Sequence, residues 1–110
     1  MANSFTRKIS RNVGTTAVVI GSYTVPASTQ VAAVGLTCAN TTAAAITVDI
    51  MLNDGTNDTY IVKAAPIPAG GTLVAVGGEQ KVVMNTGDSI KVASNTASSC
   101  DVILSVLELT

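Results

Sequence analysis

This 110-residue chain contains no histidine. Histidine is the most frequent general base in enzymes and a common metal ligand, so its absence removes Ser–His and Cys–His nucleophile pairs and the zinc sites that need an imidazole. The glycine-rich nucleotide motifs G-x-G-x-x-G and G-x-x-x-x-G-K-[ST] are absent as well. The sequence therefore predicts a protein that is not an enzyme and that has no catalytic residue, metal ion or cofactor.

Aromatic and charged residues are scarce, at 3% and 12% of the chain. The aromatic residues Phe5, Tyr23 and Tyr60 are too few to form the stacking platforms of a single-stranded nucleic-acid binder. A net charge of −1 gives no global attraction to nucleic acid or to an anionic membrane. No apolar run reaches the ~18 residues of a membrane-spanning helix, and the N-terminus lacks the apolar core of a signal peptide. We therefore expect neither nucleic acid nor a membrane as a partner, and folding in a cytoplasm.

The chain has only two cysteines, Cys38 and Cys100, and no C-x-x-C motif. Cys38 shares a predicted strand face with Leu36, and Cys100 shares one with Val102, so each is expected to behave as a small buried hydrophobe. A disulfide between them requires Cα atoms within about 7 Å, which a sequence does not reveal. A buried free thiol is the favoured interpretation, with a disulfide and a reactive cysteine as alternatives.

What the chain does have is alternation of apolar and polar residues, clearest from Ile46 onward. A period of two is typical of half-buried β-strands, because successive side chains point to opposite faces. Turn signals recur about every 8–12 residues, the spacing of a sandwich or barrel. The sequence therefore predicts one all-β domain, an antiparallel β-sandwich. Its eight expected strands are Thr16–Val25, Val31–Ala39, Ile46–Leu52, Thr59–Lys63, Thr72–Val76, Lys81–Met84, Ile90–Ala93 and Asp101–Leu109.

The N-terminal segment differs in charge from the rest of the chain. Arg7, Lys8 and Arg11 lie within residues 1–13, which contain no acidic residue, whereas all seven acidic residues follow. This asymmetry predicts an extended basic arm over residues 1–13 that contacts an acidic partner, ahead of a sandwich domain over residues 14–110. A solvated, partly mobile terminus is the alternative interpretation.

The last predicted strand is apolar on both faces. A strand of this kind is either central in a sandwich or packed against another subunit. The subunit interpretation makes Ile103, Leu107 and Leu109 candidates for packing against another copy in a trimer or ring.

Two weaker patterns have simpler structural explanations. Ser89 and Lys91 share a predicted strand face, as a Ser–Lys dyad requires, but the polar outer face of a sheet explains them better. The segment Asn53–Asp58 carries oxygen ligands like part of a calcium loop, yet it lacks the spaced acids and terminal glutamate of an EF-hand. An Asp-Gly hairpin turn accounts for that segment better.

Six segments with turn residues follow one another along residues 16–110: Tyr23–Ala27, Ala39–Thr42, Leu52–Gly55, Ala65–Gly71, Thr86–Val92 and Ser105–Thr110. In this order they resemble small virion structural proteins of tailed bacteriophages, especially those of marine and cyanobacterial hosts. The resemblance implies a jelly-roll type of β-sandwich. It carries no catalytic residues.

The resemblance also implies a function. We expect a multi-copy phage virion protein that decorates or cements the capsid, made in the cytoplasm of a bacterial host and located in the virion. Its implied partners are further copies of itself, as a homo-oligomer, and other virion proteins, above all the major capsid protein. Removing the arm is expected to weaken attachment without unfolding the body. The alternatives are a neck or tail component, such as an adaptor or fibre-attachment module, and a carbohydrate-binding module.

Overall fold

The structure, a computed structural model, describes residues 3–77 and 81–109. These residues form β-strands and one short 3-10 turn at Ile20–Ser22, with no α-helix among them. The strands are β1 (Asn3–Val13), β2 (Val18–Val19), β3 (Gln30–Asn40), β4 (Ile46–Asn53), β5 (Asp58–Ile67), β6 (Thr72–Val76), β7 (Val82–Met84), β8 (Ser89–Ser94) and β9 (Cys100–Leu109).

The strands form two antiparallel sheets packed as a sandwich. The first sheet has the order β1-β9-β3, with β6 and β7 both paired to the far edge of β3, and the second has the order β2-β8-β4-β5. Strands distant in sequence are neighbours in both sheets, as in the paired Greek keys of a jelly roll. The expectation of an antiparallel, jelly-roll-like sandwich is therefore confirmed.

The described residues form nine strands rather than the eight expected, because the segment expected as an arm is itself strand β1. Two of the expected strands share one position in the first sheet. β6 pairs with residues 36–39 of β3, and β7 pairs with residues 31–33 of the same strand. The two short strands therefore share a single place at the edge of the first sheet.

An aliphatic core fills the space between the sheets. Residues on the inner faces of β3, β8 and β9 alternate with outward residues, so each of these strands contributes every second side chain to the interior. The largest fully buried side chains are Ile20, Leu36, Ile46, Ile50, Ile67, Met84, Ile90, Leu104, Val31, Val48, Val76 and Val92. Tyr23 is the one aromatic side chain that the described residues place in this core.

The segment expected as a basic arm is an edge strand of the first sheet. From Asn3 to Val13 it pairs with β9 in an antiparallel register, with an irregularity between Ser10 and Val13. The 3-10 turn packs closely beneath it: a Cβ added at Gly21 would lie 2.7 Å from the Cβ of Lys8. The segment is thus extended, as expected, but it is part of the sandwich. Its removal would uncover one edge of β9.

The second predicted strand, Thr16–Val25, is the one that differs most from the structure. Only Val18–Val19 pairs with β8, and the chain then turns through Ile20–Ser22. Gly21 and Ser22 have positive φ angles of 59° and 54°, which no regular strand allows. Apolar alternation continues through this turn, which explains why the sequence predicts a longer strand.

The strand predicted at Thr59–Lys63 is longer than expected, because β5 continues to Ile67. Ala64 has a φ of 51°, and the pairing of β5 with β4 shifts between Val62 and Ala65. Pro66 fits in the continued strand because β5 is at the edge of its sheet, where a missing N–H costs no ladder hydrogen bond.

Candidate interaction face

Strand β9 is central in the first sheet, with β1 on one side and β3 on the other. Its even-numbered residues from Cys100 to Val106 are buried in the core. Ile103, Leu107 and Leu109 point the other way, and Ile103 and Leu109 are exposed. All three candidate packing residues therefore lie on one surface, the outer face of the first sheet.

Cross-strand pairing extends this apolar surface into a row of four residues. Phe5 lies opposite Leu107, Leu107 opposite Ala32, and Ala32 opposite Val83. Side chains directly opposite one another in antiparallel strands are in contact on the same face. These four residues are named the first row.

A second row lies parallel to the first along the same strands. Ile9 is opposite Ile103, Ile103 opposite Thr37, and Thr37 opposite Val74. Between the two rows lies a third line of residues, in which Arg7 is opposite Ser105. Ser105 in turn pairs with Gly35, next to an irregularity in β3. The middle line therefore has only small side chains at the centre of the sheet.

Exposure is concentrated on this face. Among the described residues, six of the eight large hydrophobic side chains that are exposed belong to it, led by Phe5 at 78%, Val83 at 67% and Val74 at 63%. In an antiparallel sheet with one solvated face, apolar residues that face the core normally alternate along each strand with polar residues that face water. Contiguous apolar surface of this kind marks an interaction site in soluble proteins.

The outer face of the second sheet has the opposite character. Lys63 pairs with Asp49 at 3.6 Å, and Lys91 pairs with Asp58 at 3.8 Å. Tyr60, half exposed there, has the Lys63 ammonium 4.7 Å from its ring centroid. The sandwich therefore has one charged outer face and one apolar outer face.

The three basic residues near the N-terminus do not form one patch. Arg7 is exposed and shares the outer side of β1 with Phe5. Lys8, one residue along, points inward, and its ammonium lies 4.7 Å from the ring centroid of Tyr23. Arg11 is exposed beside the groove that separates β1 from β2. Alternation along the strand thus separates Lys8 from Arg7, although the sequence groups them together.

The Tyr23 side chain is buried in the core, and its ring is not available to bind a sugar. Its hydroxyl donates a hydrogen bond of 2.6 Å to Glu108 on β9. Burial, followed by the hydrogen bond and charge of Glu108, raises the pKa of this phenol well above its usual value. Of the two tyrosines available to a sugar-binding site, only Tyr60 is therefore at the surface.

Both cysteines are free and fully buried. Cys38 pairs with Val102 and Cys100 pairs with Asn40, so the two thiols are diagonal neighbours on β3 and β9. Diagonal positions are about 7–8 Å apart, beyond the usual reach of a disulfide. Burial raises the pKa of Cys38 to about 12 and that of Cys100 to about 11. Thiols with so little thiolate are poor nucleophiles.

The loop expected to be a hairpin turn is one. The Asp54 carboxylate accepts hydrogen bonds from the N–H groups of Thr56 and Asn57, and these bonds lower the pKa of Asp54. Asn53 accepts a bond from Gly55 and donates one to Asp58. These hydrogen bonds stabilise the turn, in agreement with the hairpin interpretation.

The other weak pattern, Ser89 with Lys91, is not assembled as a dyad. The Lys91 ammonium is held by Asp58, and Ser89 is buried. Within residues 3–77 and 81–109, no group of three or more His, Cys, Asp or Glu could hold a metal ion. No helix in that part of the chain is long and apolar enough to cross a membrane.

Sequence reasoning missed four residues of the apolar face: Phe5, Ile9, Val74 and Val83. The signal was present in part, because Phe5 and Ile9 are four residues apart and share one side of a strand. Their assignment to an arm concealed that signal. For Val74 and Val83, only the pairing of β6 and β7 with β3 reveals the shared face.

Comparison with known proteins identifies a likeness of fold. No protein-family model matches the chain, and no curated protein matches it. A solved structure from Bacillus endospore appendages, described as a novel family of disulfide-linked pili, is similar with a TM-score of 0.58. The two sequences are 14% identical, and the match covers 99% of this chain and 87% of that one. At this identity the likeness shows the shared β-sandwich fold alone.

Proposed function

We propose that this chain is a structural subunit of a multi-copy protein assembly, and that it acts by burying the outer face of the first sheet against neighbouring proteins. On the basis of the sequence resemblance, the assembly proposed is the virion of a tailed phage. Decoration or cementing of the capsid is the role proposed there. The proposal assigns the chain no catalytic residue, cofactor or metal ion.

One observation carries the proposal: the two outer faces differ in character. The charged face of the second sheet is suited to water, whereas the first sheet presents two apolar rows headed by Phe5. Apolar surface gains about 25 cal/mol for each Å² removed from water, and a buried aromatic ring contributes some 150–250 Å². A partner that covers this face therefore gains hydrophobic free energy without having to desolvate many charges.

The likeness to the endospore appendage supports a structural role, because that protein shares the sandwich fold and belongs to a pilus. The manner of assembly proposed for this chain differs. The appendages form disulfide-linked pili, whereas Cys38 and Cys100 are buried in the sandwich. Contacts between its copies would therefore be non-covalent and insensitive to reducing agents.

A cementing function follows from mass action. A protein that binds an assembled shell but not its separated subunits stabilises the shell by RT ln(1 + [L]/Kd). Arg7 lies on the apolar face, where it can pair with an acidic residue of the neighbour. Of the three residues in the proposed basic contact, Arg7 and Arg11 are exposed, whereas Lys8 points inward.

Quantitative mass spectrometry of purified particles tests the proposal. The chain is expected at a copy number comparable with that of the major capsid protein. A copy number far below it would replace decoration with a neck or tail role. Absence of the chain from particles would contradict a virion function altogether and would favour the carbohydrate-binding alternative.

A further inference from the structure

We infer that the outer face of the first sheet packs against the same face of a second copy, related by a two-fold axis that runs along the strands between β9 and β3. The inference rests on the proposed function and names the partner of the apolar face. Such a contact is isologous, so every residue must be complementary to a residue of the same surface. The distribution of side-chain size over the face meets this condition.

In the first row, large and small residues exchange places under this axis. The rotation places β9 over the partner's β3, so Leu107 faces the partner's Ala32. It places β1 over the partner's β7, so Phe5 faces the partner's Val83. Each large side chain therefore meets a smaller one, as interdigitation of packed sheets requires.

The second row behaves in the same way. Ile103 faces the partner's Thr37, and Ile9 faces the partner's Val74. In both rows the larger side chains lie on β1 and β9, and the smaller side chains lie on β3, β6 and β7. That gradient of size across the sheet makes the face complementary to itself.

Charge argues against the other two-fold axis that could relate two copies of this face. Arg7 lies at the β1 edge of the face, level with the middle line, and the rotation carries its copy to the opposite edge of the dimer. A two-fold axis perpendicular to the strands would instead place Arg7 against the partner's Arg7, and Leu107 against the partner's Ile103. Like charges would meet and the bulky residues would collide, while Ala32 and Thr37 would face each other across a gap.

Sedimentation velocity over a range of concentrations tests whether the face associates with itself. Ala32→Lys places a charge in the centre of the proposed interface. Ala93→Lys is the matched control, because Ala93 is equally half-buried but points outward from the second sheet, opposite Asp49. The full chain is expected to form a dimer, which Ala32→Lys weakens at least about tenfold and Ala93→Lys changes by no more than about twofold.

Mixed cross-linking tests the orientation and does not depend on the charged variant. Phe5→Cys and Val83→Cys are prepared separately, mixed and treated with a short bismaleimide. A cross-linked dimer is expected in the mixture and not in either variant alone, since only different chains bring these positions together. The native thiols of Cys38 and Cys100 are buried and do not compete. A product from Phe5→Cys mixed with Ile9→Cys would instead show the perpendicular axis and overturn the inference.

The outcomes separate this inference from the proposed function. A chain that remains monomeric at every concentration, or a dimer unaffected by Ala32→Lys, overturns the inference. If that chain is still found in particles at high copy number, the structural function stands and the apolar face binds another protein. If the chain forms the expected dimer but is absent from particles, the self-association is supported and the virion function is contradicted.

Discussion

Asn40, at the end of β3, connects three parts of the chain through one buried side chain. Its amide nitrogen donates to the carbonyl oxygens of Ala44, Ile67 and Pro68 at 2.8, 3.0 and 3.1 Å. Its amide oxygen accepts bonds from the N–H and hydroxyl of Thr42. A buried polar group is tolerated only when it is hydrogen-bonded in this way. Asn40 therefore fixes where the strand ends and where the next loop packs.

We predict that Asn40→Ala lowers the free energy of unfolding by about 2–4 kcal/mol, because buried carbonyl groups lose their donor. Asn95→Ala is the control: its exposed side chain also bonds backbone, accepting from Thr47, yet water can replace the lost bond. The control is expected to cost about 1 kcal/mol or less. Urea unfolding of both variants measures the difference. Equal losses of unfolding free energy in the two variants would show that the buried bonds of Asn40 contribute no more than an exposed bond.

The buried cysteines give a prediction about chemistry and pH. In the native protein, neither Cys38 nor Cys100 is expected to react with a thiol reagent at neutral pH, and both should react once the chain is unfolded. Both thiols have a folded pKa above the usual value of 9.0. Their stabilising contribution is therefore complete below about pH 9 and is lost as pH rises toward 11–12, because unfolded thiols ionise first.

The pH dependence has its own control. Replacing both cysteines by alanine removes these two titrations, so the free energy of unfolding should fall less steeply above pH 9 than in the unmodified chain. The absolute stability of the variant is lower because two cavities form. Identical slopes, or rapid labelling of the native thiols, would contradict the buried placement.

At the scale of elements, β1 depends on a glycine in the turn beneath it. Gly21 has a φ of 59°, and its Cα approaches the backbone of Lys8 and Ile9 so closely that no Cβ fits. The Gly21 N–H also donates to the Ser10 hydroxyl at 2.9 Å. This small contact joins the edge of the first sheet to the turn that follows β2 of the second sheet.

We predict that Gly21→Ala destabilises the protein more than Gly70→Ala. Both glycines have positive φ, so both substitutions add about 1–2 kcal/mol of backbone strain. Only at Gly21 would the added methyl group also press on β1, since nothing lies within 4 Å of a Cβ at Gly70. Hydrogen exchange of β1 and β9 should increase in Gly21→Ala alone. An equal effect of the two variants would show that β1 does not rest on this turn.

Most strands could be predicted from alternation, because it records which side of a strand is buried. Alternation failed around Gly21, where apolar residues continue through a turn set by backbone conformation. It also did not reveal that residues 3–13 pair with β9. That pairing joins opposite ends of the chain, and polar residues such as Lys8 and Ser10 occupy the inner side where apolar ones are expected. Local pattern contains no information about so distant a partner.

At the scale of the whole molecule, the apolar face exists only because register aligns residues from separate strands. The sequence indicates Ile103, Leu107 and Leu109, since they share one strand. It cannot indicate that Phe5 and Val83 continue the same row, because a shift of register by one residue would turn each to the other side. The site was therefore predictable along β9 and not across the sheet.

Two exposed aromatic residues provide the most direct test of the account. Phe5 lies on the apolar face of the first sheet, and Tyr60 lies on the charged face of the second, each well exposed in the single chain. Hydroxyl-radical footprinting compares their oxidation in the isolated chain, kept dilute, with that in the native assembly. We predict that Phe5 becomes protected on assembly while Tyr60 continues to react. Protection of Tyr60 with Phe5 still reactive would contradict the assignment of the first sheet as the assembly face.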